Sequence, residues 1–576
     1  MDDLNKVITE LEKMSNIDSM IEIKRKLVKV QVNENDNTKF NYEKLAFSFL
    51  DEQENGFNLG CYFGVGIISK ETSELDKINE NAIDYWQRRV EESTNCILIA
   101  RYSDLIWEIS KIFKGYDGYT YGLKAIDAYL EIVKNLSFNN KSELIKVSKR
   151  SLNLALSLRD SNRIHLAKKI MIELEDNIAV DKLPGTWGFS FDNLINNKKL
   201  KLSQEEVDTI IYSLEKRLER LMTEENVIHA IKSVIIRIIS YYGSKREIEK
   251  VHEFLEKLEE TCQMHETREN VFSTEANLQE LYQLYKEYGL REEASRILVK
   301  ISRLGPLINE KLIRFEKEIE IPKEDLKQFL DAIVQGDLEQ DVINVCLMLI
   351  PKSKDVEKQV GEFKSLLTQS LPSIILSNEG RRAATIRSAE EDFKGNIIKT
   401  YADLIEVRLG LINLVIKEFI YFHSLDHEKL LSILTLSPAF DKRKIELIKK
   451  GLILYFEDEY IAAIHVLLPQ IENALRNIIR NCDGATIKAN TNKGGFDVIT
   501  LNDILNSEIL LEVYNIDTIL YLKATLNDSR GLNLRNNILH GLSGINNYNE
   551  KIASLMVQIL LIISLFKEET EVEPTE

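Results

Sequence analysis

Apolar residues recur three and four positions apart along most of the chain, the spacing that gathers them on one face of an α-helix. Residues 1–13 are amphipathic in this sense. Ile97-Leu98-Ile99-Ala100-Arg101-Tyr102-Ser103-Asp104-Leu105-Ile106-Trp107 is a stronger case, with Arg101 and Asp104 three apart and placed to form a structural pair. The same period predicts helices over 142–158, 204–222, 227–242, 245–264 and 274–288, joined by short connections. No fixed repeat length runs through them, so they read as a loose helical solenoid rather than a regular repeat array.

The pattern breaks where glycine and polar residues collect. Gly56 to Gly64 reads as a loop or short strand, Pro184-Gly185-Thr186-Trp187-Gly188 as a turn, and 378–396 as a linker or surface loop. Residues 444–481 read as one long helix or two, interrupted near Pro469, because proline removes a helical hydrogen bond. A polar loop with Gly484, Gly494 and Gly495 follows over 483–496. Helices are expected next over 501–505 and 509–526, then a short one over 534–540. An apolar helix over 550–566 closes the run. It is shorter than the roughly 20 residues a membrane span needs and contains Gln558, so it reads as buried. The expected fold is all-α, divided into an N-terminal helical domain (1–135), a middle helical array (136–440), a C-terminal helical bundle (441–567) and an acidic tail (568–576).

Composition narrows the function. The chain has 576 residues, too many for one core, and its 44% hydrophobic and 29% charged content is that of a folded protein. A net charge of −17 argues against broad, sequence-independent nucleic-acid coating, although one phosphate site needs only a few cations. Cys61, Cys96, Cys262, Cys346 and Cys482 are dispersed and form no CxxC, which points to a reducing, cytoplasmic setting with no disulfide framework and no zinc site. The acidic first residues hold no signal-peptide core. Neither a phosphate loop, GxGxxG, HExxH nor GxSxG occurs, so no cofactor or metal is expected.

One short element carries candidate chemistry. Asn533 is a helix N-cap residue and Gly541 a helix stop, and they bracket Arg535-Asn536-Asn537-Ile538-Leu539-His540. Asn536 and His540 are four apart and share a face, with Arg535 about 140° from His540. An imidazole moves protons near neutral pH, a guanidinium holds phosphate, and an amide orients an imidazole tautomer. Two other Arg-to-His spacings, Arg159 to His165 and Arg246 to His252, read as surface residues. Glu472 and Arg476, four apart, have the spacing of a structural ion pair that braces the motif or an interface. Arg530 lies near enough to add positive potential. His465 reads as a packed core histidine.

Leu534-Arg535-Asn536-Asn537-Ile538-Leu539-His540-Gly541 resembles the Arg-Asn-x-x-x-His-Gly signature of HEPN domains (higher eukaryotes and prokaryotes nucleotide-binding). Ala463 to Arg476 and Gly494-Gly495-Phe496-Asp497 resemble the first helix and a loop of one bacterial HEPN-like family of unknown function. Ala100 to Trp107 resembles an N-terminal domain often fused to it. The resemblance implies a HEPN-like bundle that cuts RNA without a metal, with the ribose 2′-hydroxyl as nucleophile and two motifs meeting across a homodimer. It would make His540 the general acid or base, Arg535 the phosphate ligand and Asn536 the group that positions His540. Arg530 and Asn537 would add RNA contacts. The helical N-terminal region would then sense a trigger or protein partner, as in abortive-infection and antiviral effectors, with no membrane involved. The contrasting expectation is a non-catalytic helical scaffold or adaptor in which the motif only supports packing.

Overall fold

Side-chain caps start many of the helices that the apolar period predicts. Asn95, Asn140 and Asp160 each accept a backbone N–H of the turn that follows, and Ser203 forms a reciprocal capping box with Glu206. The computed structural model describes residues 3–30, 37–48, 78–111, 115–225, 227–265, 270–313, 320–362, 372–490 and 494–567. The expected glycine-bearing loop at 56–64 and the tail at 568–576 lie outside them. The described residues are all-α apart from two small antiparallel hairpins.

The chain divides into two compact units, Met1–Ile297 and Leu298–Glu576. In the first, consecutive helices pack pairwise: Cys96–Ile109 on Gly118–Lys134, then Lys141–Leu158, then Ser161–Ile178. Gln204–Leu221, Ile228–Ser244, Ile248–Met264 and Val271–Glu287 continue in the same way, as a helical array. Buried charges tie its early helices together. Glu43, fully buried, accepts from the Tyr85 and Tyr102 hydroxyls (2.8 and 2.5 Å) and from Arg89 (2.8 Å). Asp104 looks beyond its own helix: its carboxylate is held by Arg150 (2.6 Å) and the Tyr129 hydroxyl (2.7 Å). Arg101 does likewise, its Nε donating to the Ala46 carbonyl (2.6 Å). The expected turn at 184–188 buries Trp187, whose ring lies under the guanidiniums of Arg217 and Arg237.

The second unit has one core that runs from Ile333 to Ile563. Helix Glu550–Ser564 sits at its centre, with every residue from Ile552 to Ser564 buried. It packs against Phe393–Phe422, Tyr460–Asn481, Leu338–Leu347 and His427–Thr435. Its polar side chains fix its neighbours: Gln558 accepts from the Tyr521 hydroxyl (2.7 Å) and donates to the Val345 carbonyl (3.0 Å), and Ser554 donates to Asn413 (2.7 Å). Leu431, Leu434, Ala439 and Phe440 share this core with Leu452 and Leu467, so packing is continuous across residue 440. It is also continuous across residue 135, where Gly118–Lys134 packs on Lys141–Leu158. The division between the two units falls at 297/298.

Local details also differ from the sequence reading. The helix break expected near Pro469 falls at Asp458, which takes a left-handed φ of 57° between Ile445–Phe456 and Tyr460–Asn481. Pro469 lies inside the second helix. The polar stretch after 378 is half of a hairpin, Ser373–Leu376 paired with Arg382–Ile386. The loop at 483–496 contributes to a second, Ile487–Ala489 paired with Phe496–Val498. Among the described residues no helix is long and apolar enough to cross a membrane.

Candidate functional site

The short helix Leu534–Leu539 is fixed by two apolar residues four apart, Leu534 and Ile538, both buried. That register leaves Arg535, Asn536 and Asn537 half-buried, with Leu539 and His540 exposed. The helix ends as expected at Gly541, which takes a φ of 68°. Gly541 N–H donates to the Ile538 carbonyl and Leu542 N–H to the Asn537 carbonyl (3.1 and 2.8 Å), so the last carbonyls are satisfied. The start differs from expectation. Asn533 occupies the N-cap position with a φ of 49° and makes no side-chain cap. Its Oδ1 instead accepts from Asn536 Nδ2 (2.7 Å). The approach to the helix is set by Gly531, where a Cβ would run into the Ala524 carbonyl, and by Leu532 N–H, which donates to that same carbonyl (2.8 Å).

Glu472 joins two guanidiniums. One carboxylate oxygen meets Arg476 Nη2 (2.6 Å) on its own helix and the other meets Arg535 Nε (3.0 Å) on the motif helix. Arg476 Nη2 also donates to the Ile499 carbonyl (3.3 Å), and Arg535 Nη1 donates to Asn536 Oδ1 (3.1 Å). The expected Glu472–Arg476 pair is thus present and extended to a triad carrying one net positive charge. Arg535 Nη2 makes no hydrogen bond among the described residues.

The other predicted residues are placed less simply. The Asn536 amide is engaged by Asn533 and Arg535, so it does not hold His540. The His540 imidazole is exposed and makes no hydrogen bond among the described residues. Asn537 Nδ2 donates to the Leu532 carbonyl (3.1 Å), a loop-bracing bond. Arg530 is gripped by both oxygens of Asp528 (2.9 and 2.8 Å), and its Nη1 lies 3.9 Å from Asp392. The Asp528 bond raises the Arg530 pKa, and its positive charge is largely offset. Burial pushes the Asp528 carboxyl up, but Arg530 outweighs this and holds it below the usual carboxylate range.

Asp528 and Gly531 were missed in the sequence reading, and Asn533 was given a cap role in place of its bond to Asn536. Asp528 carried a signal, being a polar residue seven positions before Arg535, and Gly531 stands as an isolated glycine before the motif. Asn378, at the turn of the first hairpin, donates to the Leu542 carbonyl just past the motif (3.1 Å), and no local pattern points to it. His465 is exposed rather than core-packed, with its ring stacked on Tyr548 at 5.1 Å. Of the other Arg-to-His spacings, Arg159, His165 and Arg246 are at the surface, while half-buried His252 pairs with Glu293 (3.0 Å). No group of three or more His, Cys, Asp or Glu side chains among the described residues is arranged to hold a metal ion.

A family model described as a domain of unknown function (DUF7380) matches residues 63–167. This span takes in Ala100 to Trp107 and the buried Asp104–Arg150 pair, and lies wholly outside the second unit. No curated protein matches the chain.

Proposed function

We propose that the chain is a metal-independent endoribonuclease of HEPN type, a toxin-like or antiphage effector regulated by its helical N-terminal region and acting as a homodimer. The observation that supports this most is the pairing of a braced guanidinium with an unengaged imidazole on one short helix. Glu472 fixes Arg535 while Nη2 stays available for a phosphate oxygen, and His540 is exposed at the helix end. In the reaction the ribose 2′-oxygen bonds to phosphorus as its proton passes to a base. The bond from phosphorus to the 5′-oxygen breaks, and that oxygen takes a proton. The products are a 2′,3′-cyclic phosphate and a 5′-hydroxyl. His540 serves one of the two proton transfers, and the second copy's motif is the source of the other.

A second reading is favoured by a specific observation. Asn536, Asn537 and Arg530 spend their side-chain hydrogen bonds inside the fold, as they would in a non-catalytic scaffold that binds a protein partner. An RNA-cleavage assay on the full chain with EDTA present separates the two. The nuclease reading expects cyclic-phosphate ends, and a loss of roughly 10²-fold or more in His540→Ala and Arg535→Ala variants that keep the wild-type melting curve. Cleavage that persists undiminished in both folded variants sinks the assignment of this site.

A further inference from the structure

Helix Tyr460–Asn481 carries Glu472 and Arg476 and continues to Asn477, Arg480 and Asn481. The last three line an open cleft of about 860 Å³ whose opposite wall holds Asp441, Lys442 and Arg443. All three cations of the cleft are exposed. Asp441 is its one carboxylate, and it is taken up by Arg443 (3.0 and 2.8 Å), so the cleft keeps two net positive charges in a chain of net charge −17. Lys442 makes no ion pair among the described residues. Arg480 is held in place: Asn477, 4% exposed, accepts from its Nη1 (3.1 Å) and donates to the Ala439 carbonyl (2.9 Å).

Asp441 accounts for Arg443, but Lys442 and Arg480 make no ion pair among the described residues. Lys442, Arg443 and Lys444 form the turn that leads into helix Ile445–Phe456, where the helix dipole already presents positive charge and disfavours more of it. A bound anion relieves that repulsion. The position of the cleft suggests which anion. Glu472, Arg476 and Arg480 follow one another at four-residue steps, so Arg480 stands about 12 Å along the helix from the carboxylate that braces Arg535.

We propose that this cleft binds backbone phosphate of the RNA strand whose scissile phosphate lies at Arg535. In that respect the inference rests on the nuclease reading. A free nucleotide presents the same phosphate chemistry, and the experiment distinguishes the two sources.

The test is fluorescence anisotropy on the full chain with two probes, a labelled 2′-O-methyl RNA that cannot be cut and labelled adenosine triphosphate, each at several salt concentrations. Wild type is compared with the Lys442→Ala/Arg480→Ala double variant, with Lys442→Glu and with Arg535→Ala. The expected result is RNA binding weakened about tenfold or more in the double variant, with a salt dependence reduced by roughly 0.7 for each phosphate no longer neutralised. Lys442→Glu changes one exposed, unpaired side chain, so it reports on the cleft even if loss of Arg480 disturbs folding. Weakening confined to adenosine triphosphate overturns the RNA assignment in favour of a free nucleotide. Wild-type affinity for both probes in both cleft variants overturns the site, as does a wild type that binds neither. RNA binding lost in Arg535→Ala but kept in the cleft variants sinks the inference and leaves the nuclease reading standing. RNA binding lost in the cleft variants, alongside undiminished cleavage by Arg535→Ala and His540→Ala, keeps the cleft as an RNA-phosphate site but overturns the placement of the scissile phosphate at Arg535.

Discussion

At the scale of single residues, Glu472 decides how Arg535 behaves. Its carboxylate is the shared partner of Arg476 and Arg535, and all three side chains are mostly buried. Glu472→Gln leaves two guanidiniums facing an uncharged amide. The expected cost is about 1–3 kcal/mol, read as a lower urea midpoint. Asp341 is the second residue of this kind. It is fully buried and accepts from Gln335 N–H (2.7 Å), Gly336 N–H (2.9 Å) and His423 Nε2 (2.8 Å). Burial pushes its carboxyl up, but these donors outweigh burial and hold it below the usual range. A carboxyl depressed in the fold stabilises fully above its unfolded pKa, about 3.9, and loses that contribution as pH falls through the lower folded value. Melting temperature measured against pH is therefore expected to drop below about pH 4 in wild type. Asp341→Asn is expected to lower it at neutral pH and to flatten the acid limb. The contact that completes each group is long-range: Glu472 and Arg535 are 63 positions apart, and Asp341 and His423 are 82 apart. The residue types were legible in the sequence, but their pairing depends on which helix faces meet.

At the scale of elements, the apolar period located the helices well, because it acts within one or two turns. Breaks were harder to see. The turn at Asp458 rests on a left-handed non-glycine residue and carries no glycine or proline mark, whereas Pro469, the residue that does stand out, is accommodated inside a helix. The first hairpin escaped notice because Ser-Ile-Ile-Leu over 373–376 and Arg-Ala-Ala-Thr-Ile over 382–386 show no alternation of polar and apolar residue types. The motif helix was recognised, but its support was not. Gly531 lets the chain pass against the Ala524 carbonyl just before that helix begins. Gly531→Ala forces a clash with rigid backbone, so it is expected to destabilise the second unit by about 1–3 kcal/mol and to shift the motif helix. Faster amide exchange at 532–540 than in the rest of the unit is the measurement that checks it. Uniform exchange throughout would mean that the loop yields without disturbing the motif.

At the scale of the whole molecule, the core that runs from Ile333 to Ile563 sets the folding unit. A fragment of residues 298–576 is expected to unfold in one cooperative transition. A fragment beginning at residue 441 lacks helix Phe393–Phe422, which packs on Glu550–Ser564, and is expected to show no such transition by circular dichroism. A cooperative melt of the shorter fragment would support the boundary expected near 440. The central place of Glu550–Ser564 also bears on how the chain is made. Every helix it packs against precedes it in the sequence, so the ribosome produces the middle of this core last. Between Phe422 and Glu550 lie 127 residues, which take on the order of ten seconds to translate. Throughout that interval the nascent long helix offers a bare apolar face, a target for chaperones.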